Sequence, residues 1–192
     1  PKQILELVAA IPDTPGGLRD RAIVLTAVWT GLRREELIGL TAASIGLDDD
    51  GIPMYTARVK GGKLRYRELP RPAWDAIAAY LEADGRPLEL LEDDAPIFAS
   101  KVNPGEPIAS NTLYENLRRY GAAIGVEGLT VHSLRHTAAK LRRKAGASLE
   151  EVQSVLGHSN VATTARYLAR LEGTRDTGWA AAAALLAEGA TT

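Results

Sequence analysis

The sequence contains no cysteine, so a disulfide framework, an iron–sulfur cluster and a thiol nucleophile are all excluded. It also has no apolar run near the ~20 residues that span a bilayer, because the longest candidate, WAAAAALLA at 179–187, is too short. No secretory signal opens the chain. These absences predict a cytoplasmic protein. Since the first residue is Pro1 rather than methionine, we expect a fragment or a processed chain.

Excess charge of one sign is also missing, since the net charge is −1, which is unusual for a protein that binds nucleic acid. The charge is nevertheless segregated along the chain. Residues 55–71 carry six Lys and Arg against one acid, and residues 130–170 carry seven against two acids. Residues 82–94 carry six acids against one arginine. A basic surface is therefore possible despite the neutral total.

The hydrophobic periodicity predicts one domain of a mixed but mainly α (α+β) class, helical with a small antiparallel sheet or hairpin. A buried helix is expected at 18–31 and a basic helix at 131–146. The next helix is expected to begin at Ser148, which forms a capping box with Glu151, and to end at Gly157. Asn160 or Ser159 is expected to cap a helix that carries Tyr167. Further helices are predicted at 3–11, 33–40, 72–83, from a cap at Ser110 to about Ile124, and 176–188.

A β-hairpin is predicted where 52–60 and 63–69 flank Gly61 and Gly62. A two-residue loop would place Lys60 opposite Lys63 and Arg58 opposite Arg65. Alternation would then give one basic and one core face. The basic face would suit a polyanion, or it would be the solvated edge of a sheet. The basic face would hold Arg58, Lys60, Lys63, Arg65 and Arg67, and the core face Ala57, Val59, Leu64 and Tyr66.

Four separate stretches carry residues suited to chemistry. TGLRREEL (30–37) holds Arg33 and Glu36, HSLRH (132–136) holds two histidines and an arginine, LGHS (156–159) holds His158, and TTARYL (163–168) holds Tyr167. Each has an ordinary explanation: a surface ion pair, a helix C-terminal cap, or packing. The three histidines could also bind zinc, although Ser133 stands where a zinc protease needs glutamate.

Taken together, the order and spacing R…K…HxxR…H…Y closely resembles the tyrosine recombinase (phage integrase) family. The motifs TGLRREEL, VKGGKLR, HSLRH, LGHS and TTARYL carry the resemblance, which runs from about residue 18 to about residue 170. The resemblance implies the tyrosine recombinase catalytic fold. It also implies a DNA recombinase or integrase that needs neither a metal nor another cofactor.

The resemblance implies a role for each matching residue. Arg33 and Arg135 would clamp the non-bridging oxygens of the scissile phosphate, and His158 would donate a further hydrogen bond to it. Tyr167 would attack phosphorus and form a 3′-phosphotyrosyl link. Lys60, or Lys63 as the alternative, would protonate the departing 5′ oxygen. His132 would take part in proton transfer at the tyrosine, and Glu36 would support Arg33.

Double-stranded DNA is the implied partner, with a free monomer and a homotetramer on recombining sites. The resemblance also implies a bacterial or phage-encoded protein associated with the nucleoid or a mobile element. The N-terminal DNA-binding domain that such proteins carry is expected to be absent from 1–192, so DNA affinity is expected to be weak. The tail at 174–192 would dock on its own core or on a neighbouring protomer. Predicted DNA contacts are Arg58, Lys63, Arg65, Arg67, Arg118, Arg119, Lys140, Arg142 and Arg143.

Three other functions are compatible with the same residues. A type IB topoisomerase would use the same tyrosine chemistry, but LGHS and TTxxY favour a recombinase. A non-catalytic DNA-binding module would keep the fold without the reaction. A zinc hydrolase would purify with stoichiometric metal.

Overall fold

The computed structural model describes residues 2–58, 62 and 64–157. Over these ranges the chain forms seven α-helices and a three-stranded sheet, which confirms the predicted mainly α class. Short 3₁₀ turns occupy Ala42–Ser44 and Leu88–Leu90. The helices are α1 Lys2–Ala10, α2 Pro15–Thr30, α3 Arg34–Ile38, α4 Arg71–Ala83, α5 Ser110–Ala123, α6 Val131–Lys144 and α7 Leu149–Leu156; the strands are β1 Ile45–Leu47, β2 Pro53–Arg58 and β3 Leu64–Glu68.

Helix α2 is the centre of the domain. It begins after Thr14, whose hydroxyl accepts a hydrogen bond from the backbone N–H of Gly17. It ends at Gly31, which has φ +68° and therefore the left-handed conformation that favours glycine. Most of its apolar residues from Ala22 to Val28 are buried, whereas Trp29 is 41% exposed, and α4 and α6 pack against it. The predicted buried helix at 18–31 is therefore confirmed. No helix of the described residues combines the length and apolarity needed to cross a membrane.

The helix ends follow the predicted sequence signals closely. Ser148 and Glu151 form the expected capping box at the start of α7, and Gly157 ends that helix with φ +63°. Thr130 and Ser133 form another capping box at the start of α6. Ser110 is the first residue of α5 rather than its cap, since Ala109 occupies that position. These caps fix where α6 and α7 begin, and hence which residues they present to the site.

The strands form an antiparallel sheet in the order β1-β2-β3. The predicted hairpin exists, but its register was wrong by one residue: Arg58 pairs with Leu64 and Ala57 with Arg65, whereas the prediction paired Arg58 with Arg65. Because Arg58 lies opposite Leu64, this register does not fit a two-residue loop at Gly61 and Gly62. Because side chains alternate between faces, a shift of one residue moves each β3 side chain to the opposite face.

The corrected register reverses which side chains of β3 face the protein. Leu64 and Tyr66, predicted on the core face, are 67% and 62% exposed. Arg65 and Arg67 instead share a face with the buried Ala57 and Tyr55. The prediction of a single basic face from Arg58 to Arg67 was therefore wrong, because Arg58 lies on the face opposite to Arg65.

Candidate active site

An open cleft of about 1050 Å³ lies between α3, the start of α6, α5 and the hairpin. Its lining is rich in charge, and positive charge exceeds negative, since four arginines face two glutamates. This balance suits an anionic ligand. Leu113, Leu117 and Val131 form part of its wall. The charged lining residues are Arg33, Arg34, Arg58, Arg135, Glu35 and Glu36, joined by His132.

Arg33 lies at the junction before α3, and Glu36 in that helix holds it from two directions. One carboxylate oxygen accepts the backbone N–H of Arg33 at 2.9 Å, and the other accepts its guanidinium Nη1 at 2.8 Å. The Glu36 side chain is buried, whereas that of Arg33 remains 39% exposed in the cleft. This is more than a surface ion pair, because a buried carboxylate fixes the direction of a guanidinium that can still reach a ligand.

Arg135 is the second arginine of the cleft and is only 4% exposed. Its guanidinium donates from Nη1 to the carbonyl of Gly31, at the end of α2, and from Nη2 to that of Leu156, at the end of α7. The carbonyl ends of helices carry partial negative charge, which stabilises a buried cation. Arg135 therefore ties α2, α6 and α7 together while it lines the cleft.

The two arginines, 102 positions apart in the sequence, meet on one side of the molecule. Arg33 reaches the carbonyl of Gly157 at 3.5 Å, next to the Leu156 carbonyl that Arg135 binds. Gly31 itself packs against Leu156, so a methyl group at Gly31 would come within 2.8 Å of that side chain. The arginine clamp that the sequence predicts therefore has both members at one cleft.

His132 lines the cleft, and its ring meets that of His136 one turn later in α6. The two Nε2 atoms are 2.8 Å apart, so one ring must donate the hydrogen bond and the other accept it. Burial, followed by the charges of His132, Lys140 and Arg135, lowers the pKa of His136 to about 4. His136 is therefore neutral at neutral pH, which allows this contact.

The lowered pKa of His136 predicts a loss of stability in mild acid. Between pH 6.5 and about 4, the unfolded chain binds a proton at His136 that the folded chain does not, so the free energy of unfolding decreases as pH falls through this window. His136→Gln removes this term, and its melting temperature should fall less between pH 6.5 and 4 than that of the unaltered chain. Thermal melts of both proteins at half-unit pH steps test this. Parallel profiles would contradict it.

Apart from Lys63, which lies outside the described residues, the predicted DNA-contact residues fall into two groups. Arg118, Arg119 and Lys140 are exposed, and Arg58 is exposed and lines the cleft. The others donate to backbone carbonyls of the protein itself: Arg65 to Val155, Arg67 to Ser154, Arg142 to Trp29 and Arg143 to Ala147. Burial lowers the pKa of Arg142 from its ordinary value.

Tyr114 and Arg34 are among the lining residues that the sequence did not predict. Tyr114 of α5 lines the cleft and is 45% exposed, with the guanidinium of Arg118 lying 5.6 Å from its ring centre. Arg34 lines the cleft beside Arg33. An aromatic residue four positions before an arginine, off the apolar stripe of α5, was the available signal for Tyr114.

Four predicted site residues, Lys60, Lys63, His158 and Tyr167, lie outside the described residues. So do the predicted helix that carries Tyr167, the predicted helix at 176–188 and the tail at 174–192. His158 nevertheless follows directly on Gly157, whose carbonyl Arg33 contacts. Among the residues described, no group of three His, Cys, Asp or Glu side chains comes together as a metal site.

A family model described as the Phage integrase family matches residues 1–173. The chain belongs to this family. The predicted resemblance is thereby confirmed, and the cleft lies within the matched region. In the phage integrase family, relatives with curated names include tyrosine recombinase XerD of Lacticaseibacillus casei, 36% identical over 168 residues. Tyrosine recombinase XerA of Thermococcus kodakarensis is 33% identical over 166 residues.

The alignments with these integrase-family relatives cover 85% and 86% of this chain, but 55% of each relative. The chain thus spans about half the length of the curated relatives it matches. Among solved structures, XerA recombinase aligns with a TM-score of 0.71 at 27% identity, covering 86% of this chain and 57% of that one.

A crystal structure of the XerH site-specific recombinase bound to palindromic difH substrate, in a post-cleavage complex, aligns with a TM-score of 0.74. The alignment covers 93% of this chain and 51% of that one at 23% identity, which supports the fold alone. Together these likenesses confirm the predicted tyrosine recombinase fold.

Proposed function

We propose that this chain carries the catalytic domain of a site-specific DNA recombinase, which cuts and rejoins DNA through a 3′-phosphotyrosyl intermediate without metal or ATP. The observation that best supports this proposal is the cleft in which Arg33, Arg135 and His132 come together. All three residues match the family motif. Arg33 is held there by the buried carboxylate of Glu36, Arg135 by two helix-end carbonyls, and His132 contacts His136.

In the proposed reaction, the hydroxyl of Tyr167 attacks the scissile phosphorus, and the bond to the 5′ oxygen breaks. The attacked phosphodiester gathers negative charge on its equatorial oxygens, which Arg33, Arg135 and His158 would stabilise. Planar guanidinium groups suit this task because each can donate two parallel hydrogen bonds. Fixing one guanidinium on Glu36 and the other on two carbonyls lowers the cost of ordering them around phosphate.

Proton transfers complete the step. A phenol ordinarily has a pKa of about 10, so the hydroxyl of Tyr167 needs a base to take its proton. His132 would receive this proton directly or through water. Lys60, or Lys63 beside it, would protonate the departing 5′ oxygen. The phosphotyrosyl link conserves the bond energy, so a second hydroxyl can reverse the reaction and reseal DNA without ATP.

Double-stranded DNA is the proposed substrate and partner. The exposed arginines Arg58, Arg118 and Arg119, with Lys140, would contact its backbone outside the reacting phosphate. We further propose that the protein is cytoplasmic and nucleoid-associated, monomeric when free and tetrameric on two recombining sites. In that assembly the tail at 174–192 would dock on a neighbouring protomer.

Because phosphate contacts would dominate binding, affinity for duplex DNA is expected to fall steeply with salt. Each phosphate neutralised contributes a slope of about −0.9 to log affinity against log salt concentration. Fluorescence anisotropy with a labelled duplex, from 50 to 300 mM salt, measures this slope. Affinity that stays constant across the series would contradict a phosphate-binding cleft.

Trapping of the covalent intermediate tests the proposed reaction. The chain is incubated at low salt with a pool of nicked, random-sequence duplexes, in which a cut strand loses a short fragment and cannot be resealed. Adducts are recovered after denaturation, the DNA is sequenced, and the linked peptide is mapped by mass spectrometry. The proposal expects a phosphotyrosyl link at Tyr167 on an enriched DNA sequence, in protein free of stoichiometric zinc.

Different results would favour other functions. Plasmid relaxation without strand exchange between sites would indicate a topoisomerase. Duplex binding without any adduct from an enriched site would indicate a binding module.

A further inference from the structure

The last turn of α7 receives an unusual set of hydrogen bonds. In any α-helix the final four carbonyl groups have no partner within the helix. In α7 these are the carbonyls of 154–157, although that of Ser154 also accepts, at 3.3 Å, the N–H of Gly157, which it shares with the carbonyl of Gln153. Each of the four accepts a hydrogen bond from a different arginine: Ser154 from Arg67, Val155 from Arg65, Leu156 from Arg135 and Gly157 from Arg33.

The four arginines come from three separate parts of the chain. Arg33 and Arg135 line the cleft, whereas Arg65 and Arg67 come from β3 and do not appear among the described lining residues. Arg65 donates to Val155 at 3.0 Å, and Arg67 donates to the carbonyl and hydroxyl of Ser154 at 3.1 and 2.8 Å. The negative end of a helix favours such cations. Two pairs of arginines thus hold one helix end from two sides.

Arg65 also lies unusually close to the turn that leads out of α7. A methyl group added to Gly157 would come within 1.6 Å of Arg65 Nη2. The left-handed conformation of Gly157 favours glycine at this position, and a side chain there would displace the guanidinium of Arg65. The next residue in the chain is His158, one of the proposed phosphate ligands.

We propose that Arg65 and Arg67 are positioning residues for strand cleavage rather than DNA contacts. They bind the end of α7 to strand β3, and Lys60 lies in the sequence between β2 and β3. The same helix turn is bound by Arg33 and Arg135, so one set of carbonyls sets the relative positions of the hairpin, both phosphate-binding arginines and the start of the segment with His158 and Tyr167. This inference rests on the proposed function.

The inference separates binding from chemistry. An arginine that contacts a phosphate contributes to affinity and to the salt slope, so its loss reduces that slope by about one. Loss of a positioning residue leaves the affinity and the salt slope nearly unchanged and slows the reaction of bound DNA. Misplacement of reacting groups by about 1 Å can cost up to a hundredfold in rate.

The experiment compares Arg65→Met and Arg67→Met with the control Arg71→Met. The control removes the same charge from the start of α4, where Arg71 pairs only with Asp75 among the described side chains. DNA affinity, its salt slope and the rate of adduct formation at saturating DNA are measured for each. Hydrogen exchange of the 149–157 peptide, relative to an α2 peptide, reports whether the end of α7 has loosened.

We expect Arg65→Met and Arg67→Met to form the adduct roughly tenfold to a hundredfold more slowly, with affinity and salt slope as in the control. Exchange should rise in 149–157 but not in α2. Arg65→Lys keeps the charge and one donor, so it should recover part of the rate, and it is the second variant if Arg65→Met does not fold.

A reduced salt slope with an unchanged rate at saturation would overturn the inference, as would a normal rate combined with faster exchange. Absence of adduct in the unaltered chain would instead refute the proposed function, so the two failures can be told apart.

Discussion

A Tyr167→Phe variant is expected to form no covalent complex with DNA while it binds the duplex as tightly as the unaltered chain. The substitution removes one oxygen, which is the proposed nucleophile, and keeps the aromatic ring. No cysteine is available anywhere in the sequence to attack in its place. Denaturing gels with the trapped duplex measure adduct formation, and anisotropy with the same duplex measures affinity.

Tyr114→Phe is the matched control for this experiment. Tyr114 is exposed and lines the cleft, so its hydroxyl is the best-placed competing phenol among the described residues. The control is expected to form adduct at close to the normal rate. Adduct that persists in Tyr167→Phe but disappears in Tyr114→Phe would place the nucleophile on α5 and contradict the assignment drawn from the family pattern.

The helices were largely predictable from sequence because their signals are local. The capping box at Ser148 and Glu151 and the glycines that end α2 and α7 act within one helical turn. The sequence alone therefore predicts these helix ends. Strand β1 was missed because its three residues offer too short a pattern to show alternation.

The hairpin register could not be predicted because it depends on tertiary contacts. Gly61 and Gly62 suggested a two-residue loop, but in the observed register Arg65 and Arg67 bind the end of α7. The hydrogen bonds that cap this helix end contribute to the stability of the observed register, and they cannot be inferred from the sequence of the hairpin alone. The prediction of a basic face was therefore wrong because Arg65 and Arg67 bind backbone carbonyls of the protein rather than facing solvent.

The residues of the candidate site could be predicted from the sequence, but the hydrogen bonds that hold them in place could not. Family spacing selected Arg33, His132 and Arg135, and the fold brings all three to one cleft. The sequence did not reveal that Arg135 would be buried between the ends of α2 and α7, since backbone carbonyls leave no residue-type signal. For the same reason the internal roles of Arg142 and Arg143 were missed.

Arg135→Lys is expected to reduce the rate of adduct formation by about 100- to 1000-fold, which is the usual cost of losing one preorganised donor to a transition state. Lysine keeps the charge but is a single point donor, so it cannot bridge the carbonyls of Gly31 and Leu156 and also present a planar edge to phosphate. An unpaired buried carbonyl should also lower the free energy of unfolding, by about 1–3 kcal/mol.

Arg19→Lys separates these two effects, because Arg19 is equally buried, at 4% exposure. Its guanidinium binds Asp20 and the carbonyl of Ala99, and it is not among the described residues that line the cleft. Denaturant melts should show a comparable loss of stability in both variants, whereas single-turnover cleavage should slow only in Arg135→Lys. Equal slowing in both would mean that Arg135 acts through stability alone. A normal rate in Arg135→Lys would remove it from the phosphate clamp, because a lysine in its place cannot supply the same pair of hydrogen bonds.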